Sequence, residues 1–273
     1  MGKPSPRNVG YGQFGDEFMR KSILIGVLFL LCLLGGNWFW KRTYLSSDPM
    51  KNGNKALAVE DYSNAMKYFK KAADQGDAEA QFHIGYFYSQ GFGVNQDYKK
   101  AMEWYRKSAD QGYAKAERNI GGLYDYGQGV KQDYRTAMKW LLKAAEQGNA
   151  EAEFHIAIFY QAGHGVVRDY KEAMKWQQKA AAQRFAPAQD YIGYFYENGW
   201  GVPKDNVKAL YWHQKAADQG DPQAEKNVGF FYEWGWGVPQ DYMTAMKWYL
   251  KSASQGNTDA KRSIGDLLRK MAD

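Results

Sequence analysis

A block of 36 residues repeats five times without a gap, its copies opening at Gly76, Gly112, Gly148, Arg184 and Gly220. A period of this length means stacked supersecondary units, because one copy can bury its apolar side only against its neighbours. The copies share Ala80, Ala116, Ala152, Ala188 and Ala224, then Tyr88, Tyr124, Tyr160, Tyr196 and Tyr232. Two glycines one residue apart follow, from Gly91 and Gly93 in the first copy to Gly235 and Gly237 in the last, each pair succeeded by a valine. An aspartate comes next (Asp97, Asp133, Asp169, Asp205, Asp241), then a tryptophan (Trp104, Trp140, Trp176, Trp212, Trp248).

Each copy reads as two helices. In the second, Ala101, Met102, Tyr105 and Ala109 recur at the three- and four-residue spacing of an amphipathic helix. The aspartate ahead of it suits an N-cap, since its carboxylate can accept the unpaired N–H groups of the first turn. The first helix carries Ala80, Ile84, Phe87 and Tyr88 on one side, with Gly85 where a neighbouring helix can approach closely. Between the helices, Gly-x-Gly-Val fits a turn that needs positive φ twice, with the valine plugging the gap behind it.

This pattern resembles the Sel-1-like repeat, a relative of the tetratricopeptide repeat. The resemblance covers residues 76–255 in five full units (76–111, 112–147, 148–183, 184–219 and 220–255). Residues 54–75 read as the second helix of an earlier, partial unit, with Asp61, Ala65, Met66 and Lys71 in register, and residues 256–273 as a lone first helix that caps the array. The expected fold is an all-α solenoid of 36-residue helix-turn-helix repeats over residues 54–273, preceded by one transmembrane helix. Three departures stand out: Ala157 for the helix glycine, Asn206 for the tyrosine after the cap, and Arg184 for a glycine between units. An arginine in the left-handed region there costs about 1 kcal/mol.

After a short tail (residues 1–21), residues 22–40 run for nineteen positions without a charge. About 20 apolar residues span a bilayer core. Trp38, Phe39, Trp40 and Tyr44 stand beside Lys41 and Arg42 as an interfacial belt would, so the stretch reads as a signal anchor, with residues 41–53 a linker. No A-x-A-like cleavage site follows it. A short basic tail and a single anchor favour the tail inside and the array outside, which in a bacterium means an inner-membrane protein with a periplasmic repeat domain. Cys32 is the only cysteine, so no intrachain disulfide can form.

Residues 1–47 hold six of the 36 basic and two of the 30 acidic side chains, leaving 30 basic and 28 acidic in the rest. The basic pI therefore reflects the membrane flanks, and the lysines at 71, 107, 143, 179, 215 and 251 form a solvated outer face rather than a nucleic-acid surface. Chemistry is sparse. His83, His155, His164 and His213 have no clear acidic or cysteine partners, so no metal site is expected, and no cofactor is implied. G-x-S-x-G, H-E-x-x-H, the P-loop and Ser-x-x-Lys are all missing, which speaks against an enzyme.

Residues that vary between units mark the candidate surface, since the invariant ones build the stack. In the superhelices this family resembles, first helices line the inner groove, which makes Tyr126, Tyr191, Tyr194, Glu197, Trp200, Phe230, Glu233, Trp234 and Trp236 the partner-binding candidates. Aromatic anchors with a few charges are the expected composition of a protein-binding hot spot. The architecture and the resemblance together imply a non-catalytic scaffold or adaptor for a protein or peptide partner. The resemblance also admits a second function, an immunity protein that occludes a type VI secretion effector such as a phospholipase or cell-wall hydrolase.

Overall fold

The computed structural model describes residues 48–272, which form thirteen α-helices. They pair as α1 (Pro49–Ala58) with α2 (Tyr62–Ala73), α3 (Ala78–Gln90) with α4 (Tyr98–Ala109), α5 (Ala114–Tyr126) with α6 (Tyr134–Glu146), and α7 (Ala150–Ala162) with α8 (Tyr170–Ala182). Then come α9 (Ala186–Asn198) with α10 (Asn206–Ala217), α11 (Pro222–Trp234) with α12 (Tyr242–Ser254), and the unpaired α13 (Thr258–Ala272). Each helix packs on the next in sequence, so the core is a continuous ribbon rather than a globule. The tail and the proposed anchor over residues 22–40 lie outside the described residues. Among the described residues no helix is long and apolar enough to cross a membrane.

The start of the array corrects the sequence reading. Residues 49–53, read as the end of a linker, belong to α1, which supplies the first helix that the partial unit was thought to lack. Its signature was hidden because α1 runs into α2 through Val59, Glu60 and Asp61 alone, with Glu60 taking the single positive φ of 58°. No Gly-x-Gly-Val loop marks it.

Local structure follows the repeated residues. Asp61, Asp97, Asp133, Asp169, Asp205 and Asp241 each accept a backbone N–H from the first turn of the helix they open. Both loop glycines are left-handed, Gly91 at φ 78° and Gly93 at 65° in the first copy. Arg184 adopts φ 63° at the junction where the other units place glycine. Each unit is tied to itself by a recurrent amide bond from the end of its second helix back to its first: the Gln111 side chain donates to Gln81 at 2.9 Å, Gln147 to Glu117 at 2.7 Å and Gln183 to Glu153 at 2.8 Å. Gln219 to Gln189 and Gln255 to Glu225 continue the ladder. The lysine stripe is also spoken for, since Lys107, Lys143 and Lys179 lie over the rings of Trp104, Trp140 and Trp176 at 4.0, 4.5 and 3.8 Å.

Inside each unit one position of the second helix is always buried but varies in chemistry: Phe69, Tyr105, Leu141, Gln177, His213 and Tyr249. Each faces the close-approach residue of the paired first helix; a Cβ on Gly85 would stand 2.6 Å from the Tyr105 ring. Polar occupants then need a partner. The Tyr105 hydroxyl finds Ser89 Oγ at 3.1 Å, and the Tyr249 hydroxyl donates to Glu233 at 2.6 Å. In the third copy neither polar atom of the Gln177 amide has a hydrogen-bond partner among the described residues. Replacing that buried amide with an isosteric apolar group removes its desolvation cost, so Gln177→Leu is expected to raise unfolding stability by about 1–2 kcal/mol in urea denaturation. A lower midpoint would show that the amide is satisfied in solution.

Candidate functional site

The first helices form the inner side of the solenoid. They touch one another directly, α9 on α11 and α11 on α13, and a single groove of about 470 Å³ is lined by side chains from α1 to the start of α9. Leu57, Phe82, Lys115, Arg118, Glu151 and Phe185 border it. None of these is among the predicted partner-binding residues, although Phe82 and Arg118 stand at a variable position that reads Phe82, Arg118, Phe154, Asp190 and Lys226 along the array. Arg118 is paired with Glu151 of the next unit. Burial holds the His83 and His155 imidazoles below their ordinary pKa, against the smaller opposing pull of Glu79 on His83.

The predicted site residues separate into three groups. Phe230, Trp234 and Trp236 come together, with Phe230 ring to ring at 6.1 Å from Trp234 and 5.1 Å from Trp236. Trp234 is 49% exposed, and the Lys270 ammonium of α13 sits over its ring at 3.6 Å. Tyr191 and Tyr194 lie together on α9, half-buried, Tyr191 meeting Phe154 edge-on at 5.1 Å. Tyr126 stands apart at the end of α5, 67% exposed.

The two glutamates turn inward. Glu233 is only 5% exposed and is consumed by the Tyr249 hydroxyl and by the Lys270 ammonium at 2.6 Å, so it is a structural clasp between α11 and α13 rather than a surface contact. Glu197 is half-buried, 3.8 Å from Nε2 of His213. Sequence spacing puts both on the first helix but does not show that the variable buried position opposite them holds a polar group.

Trp200 and Trp236 occupy equivalent loop positions yet differ in role. The residue there stacks on the tyrosine that follows the previous unit's cap: Phe92 on Tyr62 at 4.6 Å, His164 on Tyr134 at 4.3 Å, Trp200 on Tyr170 at 5.5 Å. Trp200 is thus an inter-unit plug. In front of Trp236 the tyrosine is replaced by Asn206, and the indole instead packs edge-on against Phe230 and Phe231. With no ring at Asn206 to stack on, Trp236 keeps the edge-on contacts that Phe92 makes with Tyr86 and Phe87 in addition to its stack.

Between α9, α10 and α11 lies a buried polar network that sequence reading did not find. His213 Nδ1 is 2.6 Å from the Asp190 carboxylate, and the Asn227 amide donates to both oxygens of Asp190, at 3.0 and 3.2 Å. The same amide donates to the Tyr194 hydroxyl at 2.8 Å. Desolvation and the Asp190 charge push the Tyr194 phenol up to about 12. Desolvation disfavours a charged His213, but Asp190 and Glu197 outweigh it and raise the imidazole above its ordinary value. Gly193 leaves just enough room, since a Cβ there would stand 2.5 Å from the His213 ring. Among the described residues no group of three or more His, Cys, Asp or Glu could hold a metal ion.

Stacked helix pairs with an aromatic inner face define a helical-repeat scaffold suited to holding a protein partner. The family model "Sel1 repeat" matches residues 51–77, 78–113, 114–149, 150–185, 186–221 and 222–257, and the chain belongs to the Sel1 repeat family. It is similar to the Sel1 repeat protein from Oxalobacter formigenes at 35% identity and a TM-score of 0.71, over 80% of this chain and 87% of that one. It is also similar to c5321, a protective antigen present in uropathogenic Escherichia coli strains, at 33% identity and a TM-score of 0.71, over 87% of this chain and 53% of that one. The immunity protein PA5088 from Pseudomonas aeruginosa shares the fold at 19% identity and a TM-score of 0.58, over 76% of this chain and 81% of that one. No curated protein matches.

Proposed function

We propose that this chain is a non-catalytic, membrane-anchored adaptor that holds a protein or peptide partner along its concave face. The observation that carries the reading is the cluster of Phe230, Trp234 and Trp236. Phe230 stands at the repeat position of Tyr86, which lines the groove, so the cluster lies on the same inner row. Three adjoining aromatic rings beside a lysine have the composition of a binding hot spot. Residues 22–40 supply the anchor in this reading, and the array faces the periplasm; a periplasm-active reporter fused after Asp273 gives signal only in that orientation.

The test is affinity purification from detergent-solubilised native membranes with the full chain as bait, followed by quantitative binding of the recovered partner. Trp234→Ala combined with Trp236→Ala is expected to weaken that binding by about 2 kcal/mol or more, with helicity intact. Unchanged affinity removes the cluster from the site. Envelope machinery among the captured proteins supports the adaptor; a stoichiometric secreted phospholipase or cell-wall hydrolase turns the function to immunity by occlusion on the same face.

A further inference from the structure

One position on the inner row is missing its side chain. Four copies place Tyr86, Ile158, Tyr194 and Phe230 there, and the second full unit places Gly122. A Cβ on Gly122 would meet nothing within 4 Å. The gap opens a cavity of about 390 Å³, into which the buried Leu123 and Leu141 contribute apolar surface and Tyr86, Tyr98 and Tyr126 contribute rings.

The same unit leaves a carboxylate without a hydrogen-bond partner among the described residues. Asp125 occupies the position at which Ser89 meets Tyr105 and Glu233 meets Tyr249. Its opposite number is Leu141, which has no donor to offer, and the Asp125 side chain accepts no hydrogen bond from the described residues. Desolvation raises its pKa above the ordinary carboxylate value, with only His164 pulling the other way. The other charges in the lining are already accounted for: Arg118 is paired with Glu151, and burial favours the neutral form of His155. The cavity therefore combines an apolar wall, tyrosine rings and one carboxylate with no hydrogen-bond donor among the described residues. That set matches a long aliphatic stem ending in a cation, which gains a charge-assisted bond to the carboxylate and cation–π contact with the rings.

We propose that the cavity beside Gly122 receives a lysine or arginine side chain of the bound partner, its cationic head against Asp125 and its stem along Leu123 and Leu141. This deepens the reading of the concave face as the partner surface and rests on it. It makes the second full unit the specificity pocket, while the aromatic cluster on α11 supplies the anchor.

The test uses the full chain and three small probes: Nα-acetyl-lysine methylamide, its arginine counterpart and its norleucine counterpart, titrated by NMR. The two cationic probes are expected to bind about tenfold tighter than norleucine. Asp125→Asn should bring all three to parity. Gly122→Leu, which fills the cavity and suits a helix, should abolish binding of all three with the circular dichroism unchanged. Parity in the unmodified chain, no binding by any probe, or a preference that survives Asp125→Asn overturns the proposal. None of these readouts depends on the partner, so loss of the adaptor reading shows separately, as full-strength partner capture by the α11 double variant.

Discussion

Gly201→Ala is expected to lower unfolding stability by about 3 kcal/mol, whereas Gly220→Ala costs about 1 kcal/mol, although both glycines are left-handed. Their φ values are 69° and 85°, so backbone strain alone does not separate them. Surroundings do. A Cβ on Gly201 would stand 2.7 Å from the backbone of Tyr170, at the first turn of α8 in the preceding unit, while one on Gly220 would meet nothing within 4 Å. The second glycine of each loop is thus the point where one unit's connection lies directly on the backbone of the unit before. Pushing it away opens an inter-unit interface, and in a one-dimensional stack that interface term is a large share of the local stability. Chemical denaturation of both variants checks this; equal losses would mean that only the left-handed backbone matters. The chain already contains a natural version of the milder change, since Arg184 sits at the junction position and keeps φ 63°.

That contrast shows what the sequence could and could not disclose. The period, the capping aspartates and the need for positive φ are local, because each depends on neighbours within one turn, and all were legible. Glycines at the loop and at the junction look alike in sequence, and only the stacking of one unit on the next tells them apart. The first unit escaped for the opposite reason: α1 is a full helical partner of α2, but its three-residue connection lacks every marker that the other loops carry. At the candidate site, the exposed aromatics on α11 were legible as variable residues. Whether Trp200 or Trp236 has a ring to stack on was not, because it turns on Tyr170 against Asn206, a residue one unit earlier in the chain. Glu233 misled because its partners, Tyr249 and Lys270, lie 16 and 37 positions away.

The buried network at Asp190 gives the other large effect. Asp190→Ala should destabilise the chain by about 3–5 kcal/mol, because it strands His213 in the interior and leaves the Asn227 amide short of two acceptors. Part of that loss depends on pH. The groups facing His213 are Asp190, Glu197 and Tyr194, and the two carboxylates raise its folded pKa above the unfolded value of about 6.5. A raised pKa on a base contributes stability that is fully present below the unfolded value and is lost as pH climbs through the folded one. The gap between the unmodified chain and Asp190→Ala should therefore be widest near pH 6 and narrow toward pH 9, with the Asn227 share remaining throughout. Adding His213→Leu to Asp190→Ala removes the stranded imidazole and should recover much of the loss, since an apolar side chain suits the pocket facing Gly193 and Phe231. A double variant no more stable than Asp190→Ala, or a gap that widens with rising pH, would show that the pair is not held as an imidazolium and a carboxylate. In that case Tyr194 owes its position on the inner face to the Asn227 and Gln223 amides rather than to a charged pair beneath it.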